Sequence, residues 1–306
     1  MDRRLAEPTT AAPPRAAAVA RPRRRTVASG LGLLWVAPAL LFLVVFFVLP
    51  LADNAAVSFV SQEEGARAGH VSLAYYAKLL TDPYYLGVTL RTLGISLVVT
   101  AICLVIGYPI AYFLVRHAGR WSSLIIFLLI APLLTSIIMR TFGWRVLFAR
   151  RGIVNVFLVD LGMIDRPLNV LQQPGSVIIG LVHVLVPFMV LSIASVLQGI
   201  DRRLEESAQV LGASKLQSFL RITLPLSLDG IGTGSILVFM LTNGSFVTML
   251  LLGGGSVVTL PLLIYQQFNL TQDVGFASAM GNLLLTFAVA CLYIQLRLIK
   301  RRGIRS

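Results

Sequence analysis

The stretch that decides the fold lies in the middle of the chain, where residues 176–200 read SVIIGLVHVLVPFMVLSIASVLQGI without a formally charged side chain. An α-helix rises about 1.5 Å per residue, so about 20 apolar residues cross the ~30 Å hydrocarbon core of a membrane. Five further stretches meet this length without a charge, namely residues 31–51, 92–115, 121–139, 230–252 and 274–296. The sequence therefore predicts an all-α, polytopic membrane protein with six transmembrane helices.

The composition supports a membrane protein. The chain is 57% hydrophobic and 13% charged, whereas a soluble globular domain carries about 25% charged residues. Cys103 and Cys291 both lie within apolar stretches. We interpret them as small buried hydrophobes rather than as part of a disulfide or metal framework.

The net charge of +13 predicts a topology rather than a nucleic-acid partner. The basic residues lie mainly beside the ends of the apolar stretches, above all in residues 1–30 and 298–306. Because basic residues favour the cytoplasmic side and an even number of spans puts both ends on one side, both termini are predicted in the cytoplasm. We interpret residues 1–30 as a disordered basic tail, residues 31–297 as the membrane domain and residues 298–306 as a second basic tail. The apolar run 31–51 is too long for the apolar part of a signal peptide, which favours an uncleaved first span.

The loop between the fourth and fifth predicted spans, residues 201–225, reads DRRLEESAQVLGASKLQSFLRITLP. Asp201 is a good N-cap, Gly212 fits the end of a helix, and Ser214 with Gln217 fits a capping box. The pattern predicts two short helices at an angle, hinged at Gly212. On this pattern alone, the pair could either dock on another protein or rest its apolar face on lipid.

The same loop resembles the EAA loop of permease subunits from binding-protein-dependent ABC importers. That pattern is Glu-Ala-Ala, three residues, Gly, nine residues, Ile, one residue and Leu-Pro. The chain matches it from Glu206 to Pro225, and only Ser207 departs, as one small residue for another. Several other segments resemble the spermidine/putrescine permease branch, namely residues 107–112, 140–144, 151–155, 177–182 and 211–217.

This resemblance implies a type I importer in the bacterial inner membrane. Its expected partners are two ATPase subunits, a second homologous permease subunit, an external solute-binding protein and the lipid bilayer. The residues expected to dock on the ATPase and couple to it are Glu205, Glu206, Ala208, Gly212, Ala213, Phe219 and Pro225. The chain has no Gly-x-x-x-x-Gly-Lys-Ser/Thr element, so ATP and Mg²⁺ are expected on the partner ATPase and no cofactor in this chain.

Two further sets of residues are candidates for contact with solute or partners. Polar residues within the spans could line a translocation path or form hydrogen bonds between helices: His183, Asn243, Ser245 and Asn282. The loop after the third span is basic although the topology puts it outside. Its arginines could contact the binding protein, or pair with Asp160, Asp165 or lipid phosphates: Arg140, Arg145, Arg150 and Arg151.

The function that these features favour is that of a permease subunit moving a small solute inward, with a polyamine such as spermidine or putrescine suggested by the resemblance. An opine, a sugar or a metal chelate remains an alternative substrate. A secondary transporter driven by an ion gradient would need ionisable groups at mid-membrane, and none of the six spans contains Asp or Glu. A scaffold or sensor that transports nothing is the third class.

Overall fold

The computed structural model describes residues 29–60 and 71–303, and they are almost entirely helical. No strand occurs within these ranges, where one isolated bridge pairs Val60 with Val71. The prediction of an all-α protein is therefore confirmed. Residues 1–28 of the predicted tail at residues 1–30 lie outside the described residues. Residues 304–306 of the second predicted tail also lie outside them. The chain divides into two compact units, one that ends at Leu51 and one that begins at Ala52.

The helices are named here in chain order. They are α1 (Ser29–Leu43), α2 (Leu49–Val57), α3 (Ala74–Thr81), α4 (Pro83–Arg116), α5 (Ser122–Ile130), α6 (Ile137–Leu147), α7 (Ile153–Asp160), α8 (Pro174–Gly199), α9 (Arg202–Val210), α10 (Lys215–Ser218), α11 (Leu224–Leu226), α12 (Leu228–Asn243), α13 (Val247–Gly253), α14 (Leu260–Gln266) and α15 (Val274–Gly303). Short π-helical turns occupy Val44–Val48, Phe219–Thr223 and Gln267–Thr271, and 3₁₀ turns occupy Gly119–Trp121 and Ala131–Leu134.

Four helical stretches among the described residues are long and apolar enough to cross a membrane without a break. They are Val36–Val57, Pro83–Arg116, Pro174–Gly199 and Val274–Ile294. Two further pairs meet the same criteria only if each bent pair is one span: Gly119–Leu134 with Ile137–Leu147, bent by 95°, and Lys215–Leu226 with Leu228–Asn243, bent by 60°. The structure thus supports four to six spans, and the number six stays a prediction.

The third predicted span, residues 121–139, is not one continuous helix. The 3₁₀ turn that contains Pro132 ends at Leu134, and Thr135 takes up an extended backbone before α6 begins. Proline cannot donate a backbone hydrogen bond, so the chain tightens and then breaks there. Arg140 of α6 donates to the carbonyl oxygens of Pro132 and Thr135, which compensates backbone groups that the break leaves without a helical partner.

The fifth predicted span, residues 230–252, is broken in the same way. Helix α12 ends at Asn243, and α13 begins three residues after Gly244, at Val247. Irregular backbone at membrane depth is tolerated only where it is buried in protein or lines a cavity. Both breaks in fact border one cavity, which is described in the next subsection.

The largest buried cluster lies where α4, α8 and α12 pack together. Cys103, Met189 and Ile193 are fully buried in it, and Cys103 carries no disulfide. Glycines on α12 allow the close approach to α8. A Cβ atom at Gly230 would lie 3.1 Å from the Ile193 Cα and the Ser192 backbone oxygen, and Ser192 Oγ donates to the Gly230 oxygen at 3.1 Å. Small residues at such contacts let helix backbones approach where the hydrophobic effect gives no help.

A side chain at Gly230 is expected to force α12 away from α8. Gly230→Leu should lower the free energy of unfolding by about 1–3 kcal/mol, because the facing atoms are backbone and cannot move aside. The measurement is the melting temperature of the detergent-solubilised chain. Gly232→Leu on the same helix is the matched control, because nothing lies within 4 Å of its Cβ position. Equal melting temperatures for the two variants would contradict the proposed contact.

Candidate functional site

The loop over residues 201–225, here called the coupling loop, begins with a well-formed helix start. Asp201 has an extended backbone, and its carboxylate accepts a hydrogen bond from the Arg203 backbone nitrogen at 2.9 Å. This is the N-cap geometry in which a side chain satisfies a free amide of the first turn. Helix α9 follows from Arg202, so the expected N-cap is confirmed.

Helix α9 ends in a Schellman motif at Gly212. The Ala213 nitrogen donates to the Ala208 oxygen at 3.0 Å, and the Gly212 nitrogen donates to the Gln209 oxygen at 3.0 Å. Gly212 has φ +92°, a conformation that costs glycine little and other residues more. The predicted termination at Gly212 is confirmed.

The second helix of the loop starts with the predicted capping box. Gln217 N donates to Ser214 Oγ at 3.2 Å, and Ser214 N donates to the Gln217 side-chain oxygen at 3.0 Å. Helix α10 is only four residues long, and the chain continues through the π turn into α11. Pro225 lies at the start of α11, where a missing amide is tolerated. The 60° bend therefore comes after Leu226 rather than at Pro225.

The loop exposes several large apolar side chains. The exposed fractions are 87% for Val210, 88% for Leu211, 66% for Leu216 and 49% for Leu220. We call these four residues the exposed ridge. Apolar side chains grouped in this way on a surface commonly mark a contact with another protein or with a membrane.

The two glutamates that the sequence placed together on the docking surface point to different environments. Glu206 is exposed and pairs with Arg202 across one helical turn at 3.3 Å. Glu205 is buried, and its carboxylate contacts Arg116 of α4 and the Thr223 hydroxyl. Placing Glu205 on the docking surface is a misplacement, because an i and i+1 pair on a helix faces different directions.

The other predicted docking residues divide in the same manner. Ala208 and Ala213 are half-buried beside the Schellman motif, and Pro225 is exposed. Phe219 turns inward, with its ring centroid 5.7 Å from Tyr108 and 5.4 Å from Tyr112 of α4. Of the predicted set, Glu206 and Pro225 are exposed, and Gly212 shapes the turn between the helices. Their docking role stays a prediction.

A cavity of about 510 Å³ opens where the two broken helices meet α8. Thr135 and Arg140 line it from the first break, Ser245 and Thr248 line it from the second, and Leu185 and Phe188 line it from α8. None of the described side chains that line the cavity is acidic. Its wall is mostly apolar, with a few hydroxyl groups and one guanidinium group.

The four predicted path residues are not brought together. Ser245 lies in the cavity wall. Asn243 borders a separate pocket, and its amide nitrogen donates to the Phe239 oxygen at 2.9 Å. His183 Nδ1 accepts from Trp144 Nε1 at 3.3 Å. Asn282 joins a polar cluster that ties α2, α3 and α15 together: Asn54, Ser58, Tyr76 and Ser278.

The predicted external arginines also separate. Arg140 faces the cavity and bonds to its own break, whereas Arg145, Arg150 and Arg151 are exposed. Within residues 29–60 and 71–303, no ion pair joins any of these four to Asp160 or Asp165. Their contact with a binding protein stays a prediction for the three exposed arginines. Arg140 instead lies in the wall of the cavity.

Comparison with known proteins places the whole described chain in one family. A family model described as "Binding-protein-dependent transport system inner membrane component" matches residues 26–304. The spermidine/putrescine transport system permease protein PotB of Escherichia coli is 38% identical over 239 residues, which cover 78% of this chain and 86% of that protein. PotB of Haemophilus influenzae is 33% identical over 257 residues, which cover 84% of this chain and 90% of that protein.

Solved structures share the fold. A crystal structure of a bacterial ABC transporter involved in alginate import matches with a TM-score of 0.68 and 19% identity, over 90% of this chain and 96% of that chain. The MetNI methionine ABC transporter matches with a TM-score of 0.52 over 71% of this chain and 94% of that chain. The helical breaks, the coupling loop and these matches together lead to one assignment: the chain belongs to the family of inner membrane components of binding-protein-dependent transport systems.

Proposed function

We propose that this chain is one permease subunit of an ABC importer for polyamines, and that a separate subunit hydrolyses ATP. The observation that carries the proposal is the coupling loop: helix α9 is capped at both ends, helix α10 begins with a capping box, and the exposed ridge stays uncovered. The relatives named for spermidine and putrescine transport, at 33–38% identity over most of the chain, support the substrate class.

The exposed ridge is the surface that we assign to an ATPase subunit. Removal of its four apolar side chains from water favours association with a partner. Glu206 lies on α9, next to the ridge. Its exposed ion pair with Arg202 contributes little to the stability of the loop. The Glu206 carboxylate is therefore available to a basic group of the partner. The loop and both termini then face the cytoplasm.

The cavity between the two helical breaks is the part of the path that this chain contributes. The ends of helices at the two breaks form part of its border, so a rotation of α6 or α13 would change its opening. Its lining lacks carboxylates among the described residues, and it carries Arg140. Recognition of a polycation therefore falls to the binding protein or to the second permease subunit.

Four kinds of partner complete the proposed importer. They are two ATPase subunits that bind Mg²⁺ and ATP, a second homologous permease subunit, an external solute-binding protein and the lipid bilayer. The exposed arginines Arg145, Arg150 and Arg151 are the surface that we assign to the binding protein, because three cations that form no ion pair within the described residues attract an acidic surface.

The direct test is uptake by the complete complex in proteoliposomes loaded with ATP. Labelled spermidine or putrescine should enter only when the binding protein is outside and ATP is inside, and vanadate should abolish uptake. An ionophore should leave uptake unchanged. Uptake that an ionophore abolishes and vanadate does not would assign the chain to ion-gradient transport. A complex that hydrolyses ATP in response to a loaded binding protein, but moves no polyamine, would keep the importer class and exclude the substrate.

A cysteine on the ridge tests both the orientation of the loop and its partner. Ser207 is exposed. Viewed along the axis of α9, its side chain lies between those of Val210 and Leu211. In a background without Cys103 and Cys291, Ser207→Cys should react with a membrane-impermeant maleimide in inside-out vesicles and not in intact cells. Bound ATPase should protect it. The control is Arg120→Cys, an exposed position outside the ridge and before the third predicted span, which should be labelled and should not be protected. Labelling of Ser207→Cys in intact cells would refute the orientation.

Replacement of Gly212 tests whether the helix junction needs the left-handed conformation. Gly212→Ala should destabilise the turn by about 1–2 kcal/mol, because a Cβ atom disfavours positive φ. The fraction of molecules with an open loop should then rise about fivefold or more. The rate of trypsin cleavage after Lys215 and Arg221, measured in inside-out vesicles, should rise by the same factor. Gly199→Ala is the control, since Gly199 ends a helix with ordinary φ and open space around its Cβ position. Equal cleavage of the two variants would contradict the assigned role of Gly212.

A further inference from the structure

We infer that the buried carboxylate of Glu205 is the joint through which movement of the coupling loop reaches the membrane helices. Glu205 acts through Arg116 and Thr223, so it is a positioning residue rather than a contact for solute or ATPase. This inference rests on the proposed function in one respect, namely that a partner subunit moves the loop.

The carboxylate connects elements that are distant in sequence. Arg116, the last residue of α4, approaches Glu205 Oε1 with Nη2 at 2.9 Å and donates to it from Nε at 3.1 Å. Thr223, at the end of the π turn, donates its hydroxyl to the same oxygen at 2.9 Å. One carboxylate oxygen therefore holds the end of α4 and both halves of the coupling loop.

Further hydrogen bonds close the same junction. Arg116 Nη2 also donates to the backbone oxygen of Ile200, which follows the last residue of α8, at 3.1 Å. Ser218 of α10 donates its hydroxyl to the Glu205 backbone oxygen at 3.3 Å. Four elements, α4, α8, α9 and α10, thus meet around a single ion pair.

Burial gives this ion pair a fixed geometry. The side chains of Arg116 and Glu205 are 8% and 11% exposed, whereas those of Arg202 and Glu206 on the same helix are 65% and 61% exposed. An exposed pair exchanges its partner for water at little cost. A buried charge that loses its partner is strongly disfavoured, so the pair keeps α9 attached to α4 as the loop is displaced.

Aromatic packing supports the joint from one side. The edge-on contacts of Phe219 with Tyr108 and Tyr112 place the π turn against α4. Tyr108 also shares a hydrogen bond with Ser227 at 2.9 Å, just before α12 begins. Because α4 packs along both α8 and α12 in the main buried cluster, a loop attached to α4 displaces that cluster as a unit.

The first test measures the joint itself and needs no transported solute. Spin labels replace Val105, an exposed residue of α4, and Gln209, an exposed residue of α9, in a background without Cys103 and Cys291. In the complex with ATPase and second permease, the distance distribution between the labels should be the same without nucleotide and after vanadate trapping. With Glu205→Gln, the distribution should shift or broaden on trapping.

Two further variants make the result specific. Thr223→Val keeps the shape of the side chain and removes one donor to the carboxylate. It should therefore shift the label distances in the same direction as Glu205→Gln, but by a smaller amount. Arg202→Gln removes the exposed ion pair on the same helix and should leave the distances unchanged. In uptake assays, Glu205→Gln should reduce transport about tenfold while ATP hydrolysis by the assembled complex stays within about twofold.

Several outcomes would overturn the inference. Distances in Glu205→Gln that match the unsubstituted complex in both states would show that the pair does not transmit motion. Complexes of Glu205→Gln and Thr223→Val that fail to assemble would show a role in folding instead. If the unsubstituted complex moves no polyamine yet the label distances behave as described, the joint is supported and only the proposed substrate fails.

Discussion

Hydrocarbon offers no hydrogen-bond partner to the polypeptide backbone, and this constraint shapes every element of the structure. Unbroken helices satisfy their backbone internally. Polar side chains within α4 do the same: the hydroxyl groups of Thr92, Ser96 and Thr100 each donate to the carbonyl one turn earlier. Where a span breaks, another group must take over, and Arg140 does so for the carbonyls near Pro132.

The two breaks also leave open space in the bundle. A bundle of uninterrupted helices packed through small residues, as α8 and α12 are at Gly230, would leave no space along its axis. The helices do not pack closely at the break between α12 and α13 or at the bend before α6. A cavity of about 510 Å³ lies between these two places. Close packing and open space thus belong to different parts of the same helices.

The sequence predicts those features that depend on neighbours along the chain. Hydropathy predicts the helical class, and side-chain chemistry predicts the caps at Asp201, Gly212 and Ser214, because each cap involves residues within a few positions. The directions of Glu205 and Phe219 were not predicted, since they depend on Arg116 and Tyr108, about a hundred positions away. The EAA pattern singles out Glu206, but no local pattern in the loop shows that Glu205 faces Arg116.

The predicted path residues failed to converge for a related reason. A polar side chain in an apolar stretch signals only that it needs a partner, and His183 and Asn282 find theirs in neighbouring helices. Arg140 was assigned to an outer loop because it directly follows the uncharged stretch 121–139, and a kink at a proline does not show which side chains turn toward it. Once the bend is known, an arginine one turn beyond it has an obvious set of carbonyl acceptors.

The capped turn at Gly212 has a consequence for the assembly of the complex. The amides of Gly212 and Ala213 are hydrogen-bonded within the loop, so the angle between its two helices is fixed without a partner. Association then costs little conformational entropy, and affinity can come from a small apolar surface. A disordered loop of the same composition would bind more weakly. It would also transmit less force, because a displacement would first change the conformation of the loop and only then move the attached helices.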